Sequence, residues 1–107
     1  MNFKVQSMTM TLSELKDSLH RELPPENLGT HLLALWWGRK GDWQRAHDLV
    51  QDGLDTGTSW IHAWLHRVEG DDGNASYWYG RAGRRKPPLP LDKEWEQLAA
   101  HFLGHSE

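Results

Sequence analysis

With 107 residues, 25% of them charged and 37% hydrophobic, the chain fits a single domain, 1–107, built on one core. It has no cysteine, which excludes disulfides, thiol catalysis, thiolate zinc sites and iron–sulfur clusters and agrees with a reducing, cytoplasmic setting. A formal charge of -3 argues against coating nucleic acid, although basic "RAGRRKPP" follows acidic "EGDD" closely along the chain.

The N-terminus has no apolar targeting segment, and the longest apolar run, "LLALWW", is far below the ~20 residues of a membrane span, so the chain reads as soluble and unprocessed. Residues 1–10 form an N-terminal extension that leaves room for no more than a short strand. "TLSELKDSLH" then offers a Ser or Thr cap ahead of Leu12, Leu15 and Leu19, which share one helical face. Leu23-Pro24-Pro25 stops that helix. Pro25 is placed in the first turn of a second helix through "ENLGTHLLALWWGRK", with Leu28, Leu32, Leu35 and Trp36 at helical spacing. Gly41-Asp42 turns the chain into "GDWQRAHDLVQDG", where Trp43, Ala46, His47 and Val50 lie on one side and Gly53 ends the element.

A fourth helix, "WIHAWLHRVE", takes its cap from Thr58 or Ser59 and closes at Gly70. "GNASYWYGRAG" is a short fifth. Residues 84–91 form a proline-rich connector to a last amphipathic helix carrying Trp95, Leu98, Ala99 and Phe102. The expected fold is an all-α compact bundle of five to six helices. Seven tryptophans, each able to bury roughly 150–250 Å², are its main source of apolar area.

The turn "GDWQRA" at Gly41–Ala46 returns as "GDDGNA" at Gly70–Ala75, 29 residues later. Two helical hairpins with small residues inside the turn, Ala34 and Ala46, then Ala63 and Ala75, resemble tetratricopeptide units, whose period is about 34 residues. The period is shorter here and no proline closes either unit, so a compact bundle is expected and an open superhelix is not. A second resemblance covers roughly Gly41 to Gly83. Leu65-His66-Arg67, Glu69-Gly70-Asp71, Asn74-Ala75, Tyr77-Trp78-Tyr79 and Arg81-Ala82-Gly83 look like the "LHRxEGDxxNAxYWYxRAG" segment of a family of small, mostly microbial proteins. That resemblance supports the helical fold and carries no activity to transfer.

On a wheel of about 100° per residue, Trp60, Ile61, Trp64, Leu65 and Val68 fall within an arc of about 140°, and His62, His66 and Glu69 fall between about 180° and 240°. The last three are a credible ligand set for a divalent metal such as zinc, with His47 or Asp71 to complete it. The alternative is structural: His62 and His66 face the partner helix as hydrogen-bonded core groups, and Glu69 bonds a turn amide or pairs with Arg67 or Arg81. Of the consecutive rings Tyr77, Trp78 and Tyr79, at least one is expected at a rim, unless the bundle buries all sides. Arg81, Arg84, Arg85 and Lys86 suit either an acidic partner or a solvated helix end, and His101 and His105 lie one turn apart near the terminus.

Two functions follow. The first is an interaction module for a protein, peptide or small ligand, without a cofactor, using a groove lined by Trp37, His62, His66, Tyr77 and Arg81. The second is a metal-binding protein or metal-dependent enzyme centred on His62, His66 and Glu69. No nucleophile, base and oxyanion donor can be assigned together, which weighs against an enzyme.

Overall fold

Six helices and no strand make up the described residues, 10–104, of this computed structural model: α1 Leu12–Ser18, α2 Thr30–Lys40, α3 Trp43–Val50, α4 Thr56–Val68, α5 Asp72–Ala82 and α6 Leu91–Phe102. The N-terminal extension ahead of Met10, and His105, lie outside the described residues. Thr11 and Glu14 form the reciprocal capping box of α1, each bond 3.0 Å long, and Leu15 is its fully buried face.

The start of α2 departs from expectation. Pro25 is not in its first turn: Asn27 takes a left-handed φ of 69°, which no helix continues through, and the helix starts after Gly29. The cap of α4 also differs. Asp55, not Thr58 or Ser59, accepts the Thr58 amide, so the helix begins at Thr56 and both hydroxyl residues are buried inside it. Helix α5 has 11 residues and so runs for three turns.

The sequence repeat is a structural repeat. At Gly41 and Gly70 the chain turns left-handed, with φ of 95° and 81°, and the following aspartate amides return to Trp37 and His66 carbonyls at 2.9 Å. Asp42 and Asp71 then cap α3 and α5, accepting the amides of Arg45 and Asn74. Ala46 and Ala75 are buried just inside each second helix. Two hairpins, α2–α3 and α4–α5, result.

Helix α4 is the axis of the molecule: every residue from Thr58 to His66 is buried, on both the apolar and the histidine faces. Its close neighbour α2 approaches at Gly38, where a side-chain carbon would come within 2.8 Å of the Trp64 ring. Tryptophans both fill the core and tie its elements. Trp36 donates to Ser18 Oγ, Trp43 to the Leu65 carbonyl, Trp60 to Glu94, Trp64 to the Leu91 carbonyl and Trp95 to the Leu35 carbonyl. Each indole therefore buries a large ring while its N–H satisfies an acceptor on another element. No helix among the described residues is long and apolar enough to cross a membrane.

Candidate metal centre

Helices α3, α4 and α5 meet at the histidine face of α4. His47 comes from α3, half-buried; His62 and His66 come from consecutive turns of α4, 3% and 7% exposed. One ring nitrogen of each lies within 4.8 Å of the others. His47 Nε2 and His62 Nε2 are 2.9 Å apart, so one of them donates and the other accepts. His66 Nδ1 is 2.7 Å from Glu69 Oε2, which orients that ring and leaves its Nε2 available. Flat aromatic walls enclose the group: Trp43 stacks on His47 at 4.6 Å and Trp78 on His62 at 3.9 Å, while His62 and His66 stack on each other at 5.0 Å.

Of the expected set, Glu69 bonds His66 Nδ1, and His47 is the expected completing residue that joins His62 and His66. His66, Glu69 and Asp71 form a second group whose ligand-type atoms also lie within 4.8 Å of one another. Glu69 does not pair with Arg67 or Arg81. Arg67 binds Glu94 at 2.7 Å, and Arg81 donates to the Tyr77 hydroxyl at 3.2 Å. Asp71 is engaged as the α5 cap, and its bonds to the Asn74 backbone and side chain hold its carboxyl below the usual range.

Burial, and then the proximity of His47 and His66, push His62 down to about 4. Burial and His66 also hold His47 below its ordinary value, against the opposing pull of Asp48 and Glu69. Both rings are neutral at pH 7, the form that ligates a metal. His62 Nδ1 is buried without a hydrogen-bond partner, as is Ser59 Oγ one turn earlier on the same helix. In the metal-free protein, with His62 donating through Nε2, the orphaned Nδ1 is a bare lone pair, a cheaper thing to bury than an unmatched N–H, and ligation through Nε2 would move that proton to Nδ1.

Three imidazoles are a donor set of the kind a tetrahedral ion takes. Ligand nitrogens at about 2.0–2.1 Å from zinc lie about 3.3 Å apart, so the 2.9 Å pair would have to open slightly and the rest of the set, within 4.8 Å, to draw in. His47, half-buried, has room to make that adjustment. A carboxylate behind a ligating histidine is the usual support for such a ring, and Glu69 supplies it for His66.

The five residues expected to share a groove divide. Trp78, absent from that set, links three of them: it stacks on His62, meets Tyr77 edge-on at 5.1 Å and lies under Arg81 at 5.6 Å. Trp37 stands elsewhere, edge-on to Trp36 and beneath the Arg45 guanidinium at 4.1 Å. Tyr77 is exposed, Trp78 intermediate and Tyr79 buried, so one ring does lie at the rim. Arg84 sits 3.4 Å over the Trp60 ring, so this part of the basic run covers the core.

A second buried polar cluster was not anticipated. Glu94, fully buried in the first turn of α6, accepts from Arg67 at 2.7 Å, from Trp60 at 3.1 Å and from the Tyr79 hydroxyl at 2.7 and 2.8 Å. Burial and the neighbouring Glu94 push the Tyr79 hydroxyl up, so it remains protonated and a donor. Burial opposes the Arg67 charge, but the bond and charge of Glu94 outweigh it and raise its pKa. Nothing in "DKEWEQ" marked Glu94 as internal, since a glutamate in a helix's first turn ordinarily faces solvent.

Comparison with known families, curated proteins and solved structures returns no match.

Proposed function

We propose that this chain is a small metal-binding protein that holds a divalent transition metal such as zinc on His47, His62 and His66. The observation that carries this is the convergence of three imidazoles, from two helices, to within 4.8 Å. Imidazole is a good ligand for zinc, copper and nickel, and both rings with depressed pKa values are already in the ligating form. The paired Gly-Asp turns support a tetratricopeptide-like origin for the scaffold, which places α3 against α4 and so His47 opposite His62.

Elemental analysis of purified protein, followed by calorimetric titration of the stripped protein with zinc, is the test. About one equivalent of metal is expected, lost in both His47→Ala and His62→Ala. Full retention by the two variants, or no uptake by the wild type, overturns the proposal. A second use of the same face, as a recognition surface for a peptide or small ligand, is favoured by Tyr77, 55% exposed beside Arg81. A partner whose binding survives metal removal but not Tyr77→Ala would single out that use.

A further inference from the structure

Resting on the metal reading, we infer that the ion keeps one coordination position open to solvent, and that a small monodentate anion, hydroxide included, occupies it. Three carboxylates lie near the cluster, and each already accepts or holds a hydrogen bond: Asp48, beside His47, accepts from the Gln44 side chain at 2.8 Å. Glu69 holds His66 Nδ1 at 2.7 Å, on the opposite side of the ring from the Nε2 offered to the ion, and Asp71 accepts from both the backbone and the side-chain nitrogen of Asn74. Around His47 and His62 the neighbours are Trp43 and Trp78, which have no lone pair to give. Trp43 directs its N–H to the Leu65 carbonyl, 2.7 Å away.

Among the described residues the protein therefore supplies three neutral nitrogens to a doubly charged ion. Structural zinc sites close their sphere with four protein ligands, whereas three protein ligands leave a place for water or substrate. With no anionic ligand on the ion and Glu69 only behind His66, the remaining positive charge, flanked by aromatic rings, favours an anion there and would lower the pKa of a bound water towards 7. Entry is from the side of His47, the half-buried member of the three.

Cobalt(II) replaces zinc and makes the sphere visible through its ligand-field absorption. Cobalt-loaded wild type is expected to show strong tetrahedral bands that shift and saturate on titration with azide or thiocyanate. Bands that form but ignore both anions would overturn the open position and leave the metal site standing; absence of cobalt bands together with absence of zinc uptake would sink both. Glu69→Gln separates the remaining case. If Glu69 sits behind His66, the variant keeps the anion response of the wild type. If Glu69 is itself the fourth ligand, the anion response appears only in the variant, and the inference fails.

Discussion

Helix α4 carries two buried polar clusters, and they are built on opposite terms. Towards α6, Glu94 meets a cation, a hydroxyl and an indole N–H, so that both carboxylate oxygens are engaged and its charge is paired. Towards α3 and α5, three imidazoles face one another around a single nitrogen-to-nitrogen bond, with the buried His62 Nδ1 unmatched. A network whose donors and acceptors close on themselves has no capacity left for a ligand. One that leaves ring nitrogens unmatched does, and that difference is why we propose a binding role for the histidine cluster and a structural one for Glu94.

The sharpest way to break the comparison is Glu94→Ala. Removing the carboxylate leaves the partly buried Arg67 charge with only the Leu89 carbonyl and the Tyr79 hydroxyl without its acceptor, and the loss is expected to be about 3–5 kcal/mol in urea unfolding at pH 7. A loss below ~1 kcal/mol would mean that the network relaxes around water and is not the fixed point described. Next in size is the effect of metal. Zinc at about 100 times its Kd should stabilise the wild type by about 2.7 kcal/mol. A chelator should then lower the melting temperature of the loaded wild type and leave His66→Ala unmoved. Equal shifts in the two proteins would place the metal elsewhere.

Acid supplies the third. His62 falls from an ordinary value of 6.5 to about 4 in the folded state, so between those values the unfolded chain binds more protons. Stability of the metal-free protein is therefore full above about pH 6.5 and falls as the pH drops through the folded value near 4. His47 and His66 add to the repulsion on protonation, and Glu69 and Asp48 oppose it at His47. The expected loss is roughly 2 kcal/mol, below the full shift because local opening lets water relieve part of the burial. Unfolding free energies that stay level between pH 6.5 and 4 would show that the rings are wetter than their packing implies.

The difference in legibility between the two clusters has a physical origin. His62, His66 and Glu69 stand out in the sequence because i, i+4 and i+7 are neighbours on one helix, and the Gly-Asp turns stand out because left-handed backbone favours glycine. The all-helical bundle was readable for the same local reasons. His47 was readable as a completing residue, since it lay on the packed face of α3 together with Ala46, but which ring of α4 it would meet depends on how two helices cross. Glu94 was invisible, since its partners Arg67 and Tyr79 are 27 and 15 residues away and meet it only after the proline-rich connector folds back. Pro25 misled because proline at the start of a helix is common, while Asn27 in the left-handed region is a choice the local sequence does not announce.

The smallest expected effect is the most discriminating. His62→Phe in metal-free protein at pH 7.5 keeps a flat ring against Trp78, removes the unmatched Nδ1 and loses one bond to His47, whose half-buried ring can turn its free nitrogen to water. The gain from replacing a poorly satisfied polar group offsets the lost hydrogen bond, so the net change is expected to stay within ~1 kcal/mol in either direction. The same substitution should abolish zinc uptake, because two imidazoles remain where three converged. Stability nearly preserved with binding gone would mark His62 as a residue kept for its ligand. A loss of 3 kcal/mol or more would instead make the histidine cluster a structural network of the same kind as Glu94, and the contrast between the two sides of α4 would not stand.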